Sequence, residues 1–196
     1  MKTLLTILLI LQLPIQLKAQ RLSFVEFIRP DFVQAQFAGN VGLAAAGVGY
    51  RILNERLYVS LLNGYTPASI SGSAVNIVAI KAAYAPVSIK TGKVSVVPYV
   101  GLGGNFETSG NAYYILLPAR FSDGYYFMSA AHASVFAGAR LAIPYSEVPG
   151  RRIEVFAETG TLDTYAYYWY KNQHIPITQI FSAALGLNWH FGIKRR

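Results

Sequence analysis

His132 and Ser134 stand two residues apart, a spacing that puts both side chains on one face of a β-strand. Such a pair can carry acyl transfer: the imidazole takes the hydroxyl proton, the oxygen attacks, and a carboxylate orients the ring. Other arrangements can be set aside by spacing. Glu154 and Glu158 share a face, but four strand residues at about 3.3 Å each hold them roughly 13 Å apart. Paired glycosidase carboxylates stand about 5 to 9.5 Å apart. Gly101-Leu102-Gly103-Gly104 follows a strand pattern but opens no helix, so it is no phosphate loop. His132, His174 and His190 have no zinc spacing, and the absence of cysteine removes thiolate ligands and nucleophiles. The expectation is a chain with no metal, no cofactor and no enzymatic activity.

What must position these residues follows from composition. Apolar residues make up 53% of the chain and charged residues 13%, against about 25% charged in soluble domains. The N-terminus reads Lys2, an apolar run from Leu4 to Leu13, Pro14, then Ala19-Gln20. That order predicts a secretory signal peptide cleaved after Ala19, too short to span a bilayer. Beyond it no apolar stretch reaches the roughly 18 residues of a spanning helix. Lipid cannot satisfy open backbone groups, so the remaining way to place this much apolar surface in a bilayer is a closed barrel with strands alternating apolar outward and polar or small inward. A closed barrel also needs no disulfides.

Eight segments fit that period-2 template. They run from Phe32 to Ala38, Val41 to Arg51, Leu57 to Tyr65, Val75 to Ala85, Val94 to Asn105, Ala130 to Ile143, Arg152 to Thr161 and Phe181 to Phe191. In the last, Leu185, Leu187, Trp189 and Phe191 alternate with Ser182, Gly186, Asn188 and His190. Asn63 breaks the third pattern, and Pro98 is the weak point of the fifth because proline donates nothing to a ladder. Connectors near Asn54, Lys90 and Pro149 are short; those from Glu107 to Ser129 and from Asp163 to Pro176 are long, as periplasmic turns and extracellular loops are in such barrels. The predicted fold is all-β: an antiparallel, eight-stranded, transmembrane up-and-down barrel. Its divisions are a signal peptide at 1–19, an N-terminal periplasmic segment at 20–31, the barrel at 32–191 and a basic tail at 192–196.

The inward set, including Gln34, Gln36, Lys81, Arg140, Glu154, Glu158, Asn188 and His190, would fill a lumen just wide enough for side chains. Centring the sixth and seventh strands near residue 147 places Arg140 across from Glu154, and centring the last hairpin near 171 places Asn188 on its other side. A lumenal cluster of Arg140, Glu154 and Asn188 with a structural role is therefore expected near the periplasmic end. Without Lys2 and Lys18 of the leader, the 17 basic residues become 15 against 9 acids, a formal +6. The basic residues, among them Arg51, Arg56, Lys90, Lys93, Arg151 and Arg152, ring one end rather than lining a stacking groove, which argues against nucleic acid and for contact with lipid phosphates. Aromatics crowd the long connectors, and Tyr125, Tyr126, Tyr168 and Trp169 could extend past an aromatic girdle as a loop binding surface.

The strand pattern, the Ala19-Gln20 start and the closing strand from Phe181 to Phe191 resemble the small eight-stranded outer-membrane barrels similar to OmpA and OmpX, especially their relatives in Bacteroidota. That resemblance implies residence in the outer membrane of a Gram-negative bacterium, with outer-membrane lipids and the barrel assembly machinery as partners. It implies an envelope-structural or surface-interaction role through the loops, with no extracellular ligand specified. Here the chain departs in one respect: Gly192 to Arg196 follow the terminal aromatic Phe191. The spacing of His132 and Ser134 is similar to that of outer-membrane lipid A 3-O-deacylases, but Val135 stands where their motif has asparagine, and no acid follows at the family spacing. An acyl hydrolase using His132 and Ser134 is thus the alternative, and a narrow pore a third reading.

Overall fold

A computed structural model describes residues 29–109, 130–171, 174 and 176–192. The expected signal peptide, most of the connector after Glu107 (with Tyr125 and Tyr126) and residues 193–196 lie outside the described residues.

The described residues form nine strands: β1 Phe32–Ala38, β2 Ala44–Ile52, β3 Leu57–Thr66, β4 Val75–Tyr84, β5 Ile89–Thr91, β6 Val94–Glu107, β7 Ala131–Pro144, β8 Arg152–Leu162 and β9 Ser182–His190. Every pairing is antiparallel and joins chain neighbours, except that β9 returns to β1 and β4 pairs with β6. The result is a closed, antiparallel, eight-stranded barrel with β5 as a short ribbon on β6. Closure leaves no long edge to pair with another chain.

Alternation along each strand sets the two faces. The outer wall carries large apolar side chains on every strand of the ring, among them Phe37 on β1, Leu61 on β3, Ile80 on β4, Leu102 on β6, Val135 on β7, Val155 on β8 and Leu185 on β9; Phe37, Leu102 and Leu185 are each at least 60% exposed. The lumen holds Gln34, Gln36, Lys81, Arg140, Glu154, Asn188 and His190, all buried. This inverts a soluble protein, whose contiguous exposed apolar patches rarely exceed a few hundred Å².

Three phenylalanines pack the lumen by lying over glycines that are their cross-strand partners: Phe32 over Gly49, Phe136 over Gly101 and Phe156 over Gly186. A Cβ on any of these glycines would fall within 2.3 Å of the facing ring. The glycines are thus the hollows that admit the rings. At the loop end a second apolar cluster joins Val41, Ala45, Leu62 and Ala79. It explains the irregularity at Asn63: Leu62 turns into this cluster and Asn63 faces out.

Several expectations shift in detail. Val41 and Leu43 belong to a turn that starts at Ala38, so β2 begins at Ala44. Pro98 falls between the β4 ladder, which stops at Val100, and the β5 ladder, which stops at Val96, so on that side the ladder is already interrupted. The connector from Asp163 is no simple loop: it forms a helix, α1, over Asp163–Lys171, and then a short 3-10 turn over Ile177–Gln179.

Candidate functional site

Glu154 sits on the lumenal face of β8 at 0% exposure. A carboxylate removed from water needs partners for both oxygens, because an unpaired buried charge is strongly unfavourable. Its Oε1 accepts from Arg152 Nε at 2.7 Å and from the Tyr58 hydroxyl at 3.1 Å. Its Oε2 accepts from Asn188 Nδ2 at 3.2 Å and lies 3.1 Å from His190 Nε2. Arg140 Nε stands 4.0 Å away. Arg140, Glu154 and Asn188 therefore do gather in the lumen, at the end bearing the short turns.

The register differs from the sequence expectation on one side. Glu154 pairs with Asn188 on β9 as expected, but on β7 its partner is Ala142, and Arg140 pairs with Phe156. The seven residues between β7 and β8 centre the hairpin one residue later than 147, which moves Arg140 to a diagonal position. Its guanidinium is held instead between two rings, 3.9 Å from the Tyr58 centroid and 4.0 Å from that of Tyr99. Stacking of this kind stabilises a weakly hydrated guanidinium.

Arg152 takes the role the sequence reading gave to Arg140. Besides Glu154, it donates from Nη2 to the Tyr58 hydroxyl at 2.7 Å and from Nη1 to Glu55 Oε2 at 2.8 Å. Glu55 also accepts from Arg51 Nη1 at 2.7 Å. Partial burial works to raise the Glu55 pKa, but the guanidiniums of Arg152 and Arg51 prevail and hold it below its ordinary value near 4.5. Glu55 has a left-handed backbone, φ 65°, which non-glycine residues rarely adopt, so these two contacts brace a strained turn.

A second cluster lies nearer the loops. Lys81 and Glu158 form a close ion pair across the lumen, Glu158 Oε2 accepts from the Tyr99 hydroxyl at 3.0 Å, and Lys81 Nζ donates to Gln36 Oε1 at 3.2 Å. Tyr58 and Glu154 sit on β3 and β8, four strands apart around the ring of eight. The polar side chains thus bridge the barrel rather than coat its wall. The lumenal voids that line up with these clusters hold about 20 and 10 Å³, room for about one water each.

His132 and Ser134 both face inward near the loop end. His132 Nδ1 lies 3.2 Å from Asp163 Oδ1 and 2.9 Å from the Thr164 hydroxyl. Asp163 is an acid that spacing alone did not find, since it sits 31 residues on at the start of α1. Its Oδ2 also accepts the Ala133 amide at 3.0 Å, so it ties α1 to β7. Ser134 is buried against Gly103, beside the void of about 10 Å³, with no space for an ester substrate. Of the proposed loop surface, Tyr168 is exposed on α1, packing edge-on to Tyr167 at 5.8 Å, and Trp169 is half-buried.

No group of three or more His, Asp or Glu residues that could hold a metal ion occurs among the described residues. Comparison with protein-family models, curated proteins and solved structures found no match to this chain.

Proposed function

We propose that this chain is a non-enzymatic outer-membrane barrel of a Gram-negative bacterium, of the small kind similar to OmpA and OmpX and their Bacteroidota relatives, exported by a cleaved signal peptide. The observation that carries the reading is the inversion of faces: a ring of exposed apolar side chains around the whole wall, and a lumen filled by paired charges. In water such a wall would associate; in lipid it is solvated, and closure of the ladder of eight strands removes the open sheet edges that lipid cannot satisfy. The bridged lumen favours a structural or surface-interaction role over conduction, and the aromatic helix α1 is the described part of the loop surface that would meet a partner. The space around Ser134 favours the non-enzymatic reading over acyl hydrolysis.

The test is expression in a Gram-negative host followed by separation of the two membranes. The reading predicts the protein in the outer-membrane fraction, migrating differently on a gel before and after boiling, as an intact barrel does when it unfolds. Recovery in the soluble fraction or the inner membrane overturns it.

A further inference from the structure

The turn end of the barrel opens into a cup of about 790 Å³, floored by Tyr58, Val97, Ala142, Arg152 and Glu154. A volume of that order suits a small-molecule ligand. The floor residues face the lumen, so the cup opens along the barrel axis rather than through the wall. It is blind: beneath it, Arg140 fills the bore between the Tyr58 and Tyr99 rings, and the next void holds about 20 Å³.

Charge around the cup is uneven. Glu154 is satisfied by Arg152, Tyr58 and Asn188, and Glu55 by Arg51 and Arg152. Arg56, Lys93 and Arg151 on exposed connecting segments and Lys90 on the short strand β5 also line it, and among the described residues none has an ion-pair partner. Against these four cations stands one acid without such a partner, Glu147. A concave site lined by one sign of charge concentrates ligands of the other sign. Lipid headgroups approach from beside the outer wall, whereas this mouth faces the aqueous phase.

We propose that the cup is a binding site for a water-soluble polyanion bearing clustered phosphate or carboxylate groups, held by Arg56, Lys90, Lys93 and Arg151 above a floor of satisfied charges. The ligand is bound and not passed through, because the floor is closed.

The experiment is calorimetric titration of the purified, folded full chain in a zwitterionic detergent. Inorganic tripolyphosphate is the phosphate probe, tetraglutamate the carboxylate probe, and nanodiscs containing anionic lipid the lipid arm. Two variants, Arg56→Gln/Arg151→Gln and Lys90→Gln/Lys93→Gln, are compared with Lys171→Glu, which changes the net charge by the same two units on the helix at the opposite, loop end of the barrel. Circular dichroism confirms that each is folded. Binding of either soluble probe, weakened roughly five- to tenfold in both cup variants and less than twofold in the control, is the expected result. No binding of either probe, equal weakening in all three variants, or binding of anionic lipid alone overturns the proposal. The readout is made in detergent, so it stands or falls separately from the location of the barrel in the cell.

Discussion

Arg152 donates its Nε proton to Glu154 Oε1 at 2.7 Å from two residues earlier on the same face of β8. The pair needs no register to form, because alternate residues of one strand share a face. Around it the barrel assembles contacts that do need register: Asn188 from β9, Tyr58 from β3 and Arg140 on the diagonal from β7.

Coupling between Glu154 and its two arginines should accordingly be unequal. In double-mutant cycles read by urea unfolding, Arg152→Met with Glu154→Gln should show a coupling of roughly 2 kcal/mol, and Arg140→Met with Glu154→Gln under about 1 kcal/mol. Glu154→Gln alone should destabilise by about 3 to 5 kcal/mol, since it leaves cations buried without their counter-charge. Stronger coupling of Glu154 to Arg140 than to Arg152 would contradict the geometry.

The phenylalanine-over-glycine packing gives a second outcome. Gly101→Ala should destabilise by about 1 to 3 kcal/mol through overpacking against Phe136. Gly104→Ala, whose nearest neighbour is the edge of the Phe106 ring at 3.3 Å, should change stability far less. Equal effects in thermal unfolding would remove glycine hollows from the account of lumen packing.

Glu55 sets a pH dependence. Its folded pKa is depressed, so its contribution is fully present above about pH 4.5 and is lost as pH falls through the lowered folded value. The side chain is half exposed, and screening limits the contribution to under about 1 kcal/mol. The stability difference between the native protein and Glu55→Gln should therefore shrink as pH falls below 4.5 and shrink in about 1 M salt at neutral pH. A difference that grows on acidification would reverse the assigned sign.

Ser134→Ala should leave the acylation of lipid A unchanged in mass spectra of cells expressing either form, because the hydroxyl packs against Gly103 inside the barrel. A shift in acyl-chain number on that substitution would instead support the hydrolase.

The wall of the barrel was legible because its information is local: a period of two, read strand by strand, assigned Val33, Ala35 and Phe37 outward and Gln34 and Gln36 inward without knowledge of any neighbour. Contacts across a hairpin depended on where the turn is centred, and one residue of error at the β7–β8 turn moved every opposed pair by two, which displaced Arg140 from Glu154. Contacts across the bore, such as Lys81 with Glu158 or Tyr58 with Glu154, leave no trace in spacing because only closure brings those strands face to face. Arg152 is visible in the sequence as an i, i+2 partner of Glu154, but its place beside Arg151 suits a basic ring at the turn end equally well. The helix at Asp163–Lys171 was hidden by a run of tyrosines that also suits an aromatic girdle.

The claim on which the functional reading rests is that the outer wall faces lipid, and Trp189 reports on it. It is 48% exposed on the outer face of β9, with its indole N–H donating to the Tyr145 hydroxyl at 2.9 Å. The chain has two tryptophans, so Trp169→Phe leaves Trp189 as the sole indole. Refolded into vesicles whose acyl chains carry bromine near the headgroup, this variant should lose most of its tryptophan fluorescence to the bromines and little to aqueous iodide. Efficient quenching by iodide with no response to the brominated lipid would place the wall in water and contradict the account.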